Sequence, residues 1–431
     1  MERYLNDAIN SLQWLIRLDS VEEAPLSGKP FGQGCYDALE FTLNLAKSLG
    51  FNTKNVDGYA GHADIGKGEL FGILGHLDTV PHGTGWTYPP TGGVIDNNKL
   101  YGRGALDNKG PLISCLYAVK ALIDDGYTPN KKIRLIFGCN EESGWKCIEH
   151  YFEKEEMPKM GFSPDADFPA INCEKGLSYY HLNTALPDSV ISIKGGIRAN
   201  MVPDYASALI TTEPVNRIDA KVTKKEEGYL IETFGKAAHA STPDKGDNAL
   251  WKLFRVLSDT LGGIFDVIHS KLTAYDGSKC SLKLSDDKSG SLTMNLGTAD
   301  TEGKELKIVL DFRHPISYTR DEILSILLKE LPEFQITKGN FHNPLYVPKD
   351  HPLVRELLGA YKDVTGEDAE PITIGGGTYA RALPLAVAFG PIFPGQISTI
   401  HSKDEYIGLD DFLKMSKIYY EAIKRLCFDK K

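Results

Sequence analysis

His76 and Asp78 stand two residues apart in GHLDTVP (residues 75–81), at the end of the apolar run Leu70-Phe71-Gly72-Ile73-Leu74. The run reads as a buried strand and Pro81 stops its ladder, so both polar side chains emerge at a strand terminus. Side chains two apart on a strand share a face. Asp78 is therefore expected to hydrogen-bond one ring nitrogen of His76 and leave the other nitrogen to hold a metal. Four further motifs carry related groups: Asp107 in YGRGALDNKG, Glu141 and Glu142 in CNEESG, Asp165 in SPDADFP and His401 in IHSKDE. Each of these residues alone is commonly a solvated turn group. Together they form a set of imidazoles and carboxylates without thiolates, suited to two divalent ions, zinc foremost, with one carboxylate shared between them.

Periodicity indicates the elements that must position this set. Leu5, Ala8, Ile9, Leu12, Leu15 and Ile16 follow helical spacing, and a second helix is expected over residues 36–49. Pro111 and Gly126 bracket a third, so Asp107 lies just before a helix N-terminus. Residues 132–139, KIRLIFGC, read as another buried strand, followed by Glu141 and Glu142 and a helix through Trp145, Ile148 and Tyr151. Strands alternating with helices predict a sheet that is largely parallel, with chemistry in the loops at strand C-termini.

From about residue 189 the strands shorten: 190–194, 205–212, 228–234, 291–296 and 307–312, with helices over 248–261 and 321–331. This pattern predicts an inserted α+β module with an antiparallel sheet, spanning residues 187–348 and carrying His239 in GKAAHAS. Residues 264–290 show no clean period. Helical spacing at Leu353, Leu357, Leu358 and Tyr361, a strand at 385–389 and a helix at 412–426 return the chain to its first domain. The expected fold is α/β: a domain of residues 1–186 and 349–431 with a mostly parallel central sheet flanked by helices, plus the inserted module.

Composition bounds the partners. The chain has 431 residues, 42% hydrophobic and 25% charged, enough for two or three domains with a large core. Its net charge of −10 offers no field to attract nucleic acid or an anionic membrane, so small molecules are the expected partners. Seven scattered cysteines without a Cys-x-x-Cys pair argue against a disulfide framework and against thiolate zinc, and fit a reducing cytoplasm. The opening MERYLNDAINSLQ carries charges where a signal peptide needs an apolar core, and no run of 18 apolar residues occurs. Neither export by that route nor membrane spanning is expected.

Taken in order, GHLDTVP, YGRGALDNKG, CNEESG, the Pro-Asp of SPDADFP, GKAAHAS, GGGTYAR and IHSKDE resemble the motifs of the M20 dinuclear zinc peptidases and deacylases, over nearly the whole chain. The PDADFP loop, GGGTYAR and the long module are most similar to bacterial dipeptidases of the PepV type, relatives of the carnosinases. The resemblance implies a zinc-peptidase catalytic domain with the module as its lid. It makes Asp107 the bridging carboxylate, gives His76 and Asp165 to one zinc, and gives Glu142 and His401 to the other. Cobalt or manganese would substitute. Spacing alone does not say which glutamate is a ligand; the family pattern makes Glu141 the general base and Asp78 the partner of His76.

The same resemblance implies a cis peptide after Asp107 and an oxyanion donor in His239. It also implies a clamp for the substrate's C-terminal carboxylate in Asn200 and Arg313. In GGGTYAR, Gly376, Gly377 and Thr378 offer backbone groups for close approach of a ligand. A dipeptidase is the leading expectation. An N-acyl amino acid deacylase is the alternative with the same metals, and a non-catalytic peptide-binding relative is a third, against which the intact Glu141 speaks. A module of roughly 160 residues exceeds a minimal lid and favours a monomer over a dimer.

Overall fold

Strand Leu70–His76 is buried along its whole length, as its apolar run requires, and pairs in parallel with Lys132–Gly138 on one side and Met160–Ser163 on the other. Phe71, Ile73 and Leu74 are fully buried, each stabilising the fold by about 1.5–3 kcal/mol relative to exposure. Parallel strands end on the same edge. His76, Gly138 and Ser163 therefore all close at one side of the sheet, and the loops that follow leave from there.

The computed structural model describes residues 1–215 and 218–429, which divide into two units. The first comprises Met1–Asn172, Val347–Ile372 and Thr378–Lys431. Its sheet runs Asn52–Val56, Ala60–Ile65, Lys132–Gly138, Leu70–His76, Met160–Ser163 and Ala386–Ala388. The central pairs are parallel; Asn52–Val56 and Ala60–Ile65 add antiparallel strands at one margin, and Ala388 pairs antiparallel with Ile171 at the other. Helices Leu5–Arg17, Gln33–Ser48, Lys109–Asp124, Lys146–Lys154, Pro352–Thr365 and Leu409–Cys427 flank it. Helix Lys109–Asp124 is buried over almost all its residues and meets Leu409–Cys427 through a Ser114–Ser416 hydroxyl pair at 2.7 Å.

Gly75 shows why this helix can sit so close to the strand that ends in His76. A Cβ there would lie 2.2 Å from Asn108 Oδ1 and 2.9 Å from Leu112. The helix N-terminus, and Asp107 before it, would be pushed off His76.

The second unit comprises Cys173–Tyr346 and Thr373–Gly377. Its strands are all antiparallel, in the order Ala220–Lys224, Tyr229–Phe234, Tyr205–Ile210, Val190–Gly195, Thr293–Glu302, Glu305–His314, Gly176–Ala185 and Gln335–His342. Alternate residues such as Tyr180, Leu182, Leu310 and Phe312 pack against Leu253, Phe254, Leu257, Ile323 and Leu327 of helices Ala249–Leu261 and Arg320–Glu330. The unit begins earlier than the expected residue 187, because Gly176–Ala185 pairs with Glu305–His314 along its whole ten-residue length. Within residues 264–290, which lack a clean period, an additional helix forms at Ile264–Lys271.

All seven cysteines are buried and free. Among the described residues no helix is long and apolar enough to cross a membrane.

Candidate metal centre

His76, Asp107, Glu141, Glu142, Asp165 and His401 all belong to the first unit, and the fold brings them together. Asp107 is the hinge of the arrangement. Its Oδ1 lies 2.9 Å from His76 Nε2 and its Oδ2 3.0 Å from His401 Nε2, so one carboxylate faces two imidazoles with separate oxygens. Glu142 Oε1 stands 2.9 Å from His401 Nε2, and Asp165 Oδ2 stands 3.7 Å from His76 Nε2. Ligand atoms of His76, Asp107 and Glu142 lie within 4.8 Å of one another, as do those of His76, Glu141 and Asp165. The peptide bond between Asp107 and Asn108 is cis.

The tautomer of His76 follows from its other nitrogen. Nδ1 lies 2.9 Å from the backbone carbonyl of Asp78, which only accepts, so Nδ1 carries a proton, and Nε2, 2.9 Å from Asp107 Oδ1, is the nitrogen at which a metal would replace a proton. The Asp78 carboxylate, expected to orient the ring, stands beside the same nitrogen at a longer distance. Strand Leu70–His76 stops at the histidine, so Asp78 has left the pleat and its Oδ1 is 3.6 Å from Nδ1. That buried carboxylate also accepts the backbone N–H groups of Glu141 and Glu142, at 3.1 Å each.

The carboxylates of the cluster divide by their surroundings. Burial pushes Glu142 up to about 7, with Asp107 adding to the effect. Burial also raises Glu141 well above the usual carboxylate range, and raises Asp165. Asp107 goes the other way: burial opposes ionisation, but hydrogen bonds from His401 and His76 hold it well below the usual range. For His401, burial is outweighed by Asp107 and Glu142, which lift it to about 10. Four carboxylates thus crowd two imidazoles in a largely desolvated site, a donor set suited to holding metal ions.

Sequence reasoning missed the groups that hold this cluster in place. Glu405 is fully buried, and its Oε1 accepts the N–H groups of Leu106, at 2.9 Å, and Asp107, at 3.2 Å. Its Oε2 takes Arg103 Nη1 at 2.9 Å. The opposite charges inside YGRG and IHSKDE were the available signal. Asp404 ties the same late loop to Thr87, accepting its N–H at 2.7 Å and its hydroxyl at 2.9 Å. Thr378 is buried in the first unit and caps the turn Tyr379–Ala382, accepting the Ala380 N–H at 3.2 Å.

The remaining candidates lie in the second unit. Nδ1 of exposed His239 accepts the Ser241 N–H at 3.2 Å and lies 2.7 Å from the Ser241 hydroxyl. Its neutral ring therefore carries the proton on Nε2, as a donor. The Asn200 carbonyl accepts the Ala240 N–H at 2.9 Å, stitching the two segments together. Asn295, buried and unforeseen, donates to the carbonyls of Ala199 and Met201 on either side of Asn200. Arg313 is buried, forked onto Asp311 at 2.7 and 2.8 Å, and donates Nη1 to the Gly375 carbonyl at 3.1 Å. One hydrogen on each Nη is left for another acceptor. Gly376 and Gly377 follow Gly375 in the same unit.

Comparison with known proteins accords with this geometry. The family model described as peptidase family M20/M25/M40 matches residues 72–425. A Bacillus subtilis protein named "Putative dipeptidase YtjP" is 39% identical, with 98% of each chain covered. A Staphylococcus epidermidis protein named "Putative dipeptidase" is 36% identical over 99% of this chain and 98% of its own. Among solved structures, human carnosine dipeptidase 1 shares the fold with a TM-score of 0.63 at 15% identity, covering 99% of this chain and 97% of that one. A metallo-carboxypeptidase from Sulfolobus solfataricus does so with 0.62 at 19%, covering 97% and 98%.

Proposed function

The chain belongs to peptidase family M20/M25/M40, and on that premise we propose that it is a dinuclear zinc dipeptidase acting on small peptides in the cytoplasm as a monomer. The observation that carries the reading is Asp107, with one oxygen toward each of His76 and His401, as a carboxylate shared by two cations requires. His76 and Asp165 would hold one ion, and Glu142 and His401 the other. Zinc is favoured by the imidazole and carboxylate donors, with cobalt or manganese as substitutes. When bound, the ions supply Lewis acidity that polarises the scissile carbonyl and lowers the pKa of water.

The chain's own groups do the rest. Glu141, whose desolvated carboxyl holds a proton more tightly than usual, accepts the proton of the attacking water and delivers it to the leaving amine. His239, protonated on Nε2, donates to the oxyanion as the carbonyl becomes tetrahedral. The outward hydrogens of Arg313, with Asn200, hold the C-terminal carboxylate of the substrate, and the backbone at Gly376, Gly377 and Thr378 lines its approach. A clamp on that carboxylate admits one residue on the leaving side. A carboxylate pairing with the free ammonium limits the other side to one residue, because burying an unpaired charge costs several kcal/mol.

The test compares specificity constants for one dipeptide, its N-acetyl form and its C-terminal amide, with and without a chelator. The free dipeptide should be cleaved best, and only with metal present. A preference for the acetylated compound would replace this reading with a deacylase; equal cleavage of the amide would remove the Arg313 clamp; and metal-loaded protein that binds but cleaves none of the three would be a peptide-binding relative.

A further inference from the structure

The loop that presents Glu141 is closed by an unusual residue. Trp145 has φ +68°, in the left-handed region where bulky side chains are rare and where glycine or asparagine would sit at less cost. Asn140 enforces the closure from both ends. Its carbonyl accepts the Trp145 N–H at 2.7 Å, its Oδ1 accepts the Lys146 N–H at 2.9 Å, and its amide reaches Glu22 and Ser143 at 2.9 and 2.8 Å. Closed in this way, the loop turns the indole back beneath its own start, where Nε1–H donates to Glu141 Oε1 at 3.2 Å.

The ring is held from its other side as well. Trp145 packs edge-on against Tyr379, with centroids 5.2 Å apart, and Tyr379 packs edge-on against His76 at 6.1 Å. Tyr379 is itself fixed, its hydroxyl 2.7 Å from Cys147 Sγ and its ring filling the space that a side chain at Gly138 would occupy. Among the described residues no other donor reaches the Glu141 carboxylate.

We infer that Trp145 is a positioning residue for Glu141, fixing the plane of the carboxylate so that Oε1 is occupied and Oε2 is the oxygen that takes and returns the proton. The inference rests on the reading of Glu141 as general base. An indole suits the task because its N–H only donates: it cannot accept the transferred proton, as a histidine or hydroxyl in the same place would. It also carries no charge, so it orients the base without the loss of basicity that a neighbouring cation would cause. Glycine or asparagine would close the loop more easily but would leave the carboxylate free to rotate.

The experiment replaces Trp145 by phenylalanine and, by unnatural amino-acid incorporation, by 3-benzothienylalanine, which keeps the bicyclic shape and lacks the N–H. Turnover rate, Michaelis constant and metal content are measured on a dipeptide, in the native background and with Glu141→Ala, using single-turnover conditions where rates are slow. Both replacements should lower the turnover rate about tenfold or more while leaving the Michaelis constant and metal content in place. In the Glu141→Ala background neither should lower it further. Native turnover in the benzothienylalanine variant, or an equal fractional loss with Glu141→Ala, would overturn the inference while the base reading stands. Native turnover in Glu141→Ala alone would instead remove the base, and the inference with it.

Discussion

Asp78 holds Glu141 by its main chain: Oδ1 of the buried aspartate accepts the Glu141 N–H at 3.1 Å, and Oδ2 accepts the next N–H, that of Glu142, at the same distance. A loop of adjacent acids would otherwise repel itself away from the carboxylates of Asp107 and Asp165. Asp78→Asn turns one acceptor into a donor facing an N–H, so the loop should shift. The expected result is a turnover rate lower by about 10–100-fold, with the metal near His76 retained because the Asp78 carbonyl still sets that ring. Loss of metal with normal turnover of the fraction still loaded would show that the carboxylate acts through His76 after all.

The two glutamates should separate by metal analysis. Glu141→Gln removes a proton acceptor and should lower the turnover rate by at least about a hundredfold with both metals in place. Glu142→Gln removes a group 2.9 Å from His401 and should deplete one metal. Equal depletion in both variants would mean that each is a ligand.

His239→Ala should lower the turnover rate by roughly a hundredfold, the scale of a lost oxyanion donor, without changing metal content. Ser241→Ala should cost less, because the Ser241 backbone N–H, which sets the histidine tautomer at 3.2 Å, remains. A His239 variant that raised only the Michaelis constant would assign the ring to substrate binding.

A stability prediction comes from His62, buried on strand Ala60–Ile65 with Nδ1 2.7 Å from the Tyr151 hydroxyl. Burial, and then Arg134, hold its pKa down from 6.5 to about 4. A folded pKa below the unfolded one contributes stability that is complete above pH 6.5 and is lost as the pH falls through about 4. His62→Gln should therefore flatten this part of the acid profile, by up to about 3 kcal/mol between pH 6.5 and 4. Denaturant unfolding of both proteins in chelator, across that range, checks it; parallel profiles would mean the histidine titrates alike in both states.

The candidate site residues were legible because each follows a feature that short windows reveal. Leu70–His76 and Lys132–Gly138 are apolar runs of strand length ended by polar groups, and Lys109–Asp124 announces its start with Pro111. Asn52–Val56 and Ala60–Ile65 were silent, since His62 and Asp64 break the apolar pattern. They are buried only because Tyr151 and Arg134 meet them, Arg134 at 2.7 and 2.8 Å from Asp64. Gly176–Ala185 was likewise invisible as part of the second sheet, its membership decided by a partner strand more than a hundred residues later.

The sequence by itself determined which candidate residues the fold gathers and which strand ends they leave from, because hydrophobic period and turn residues act over a few neighbours. Only the tertiary structure decided that Asp78 offers its carbonyl to His76 and its carboxylate to the glutamate loop, a choice made by the strand ending at His76, before the shared-face rule can reach Asp78. Only it decided that Glu405, 298 residues from Asp107, holds the backbone of that aspartate. A buried hydrogen bond pairs whatever donor and acceptor the packed core leaves without water, and spacing along the chain carries no record of that.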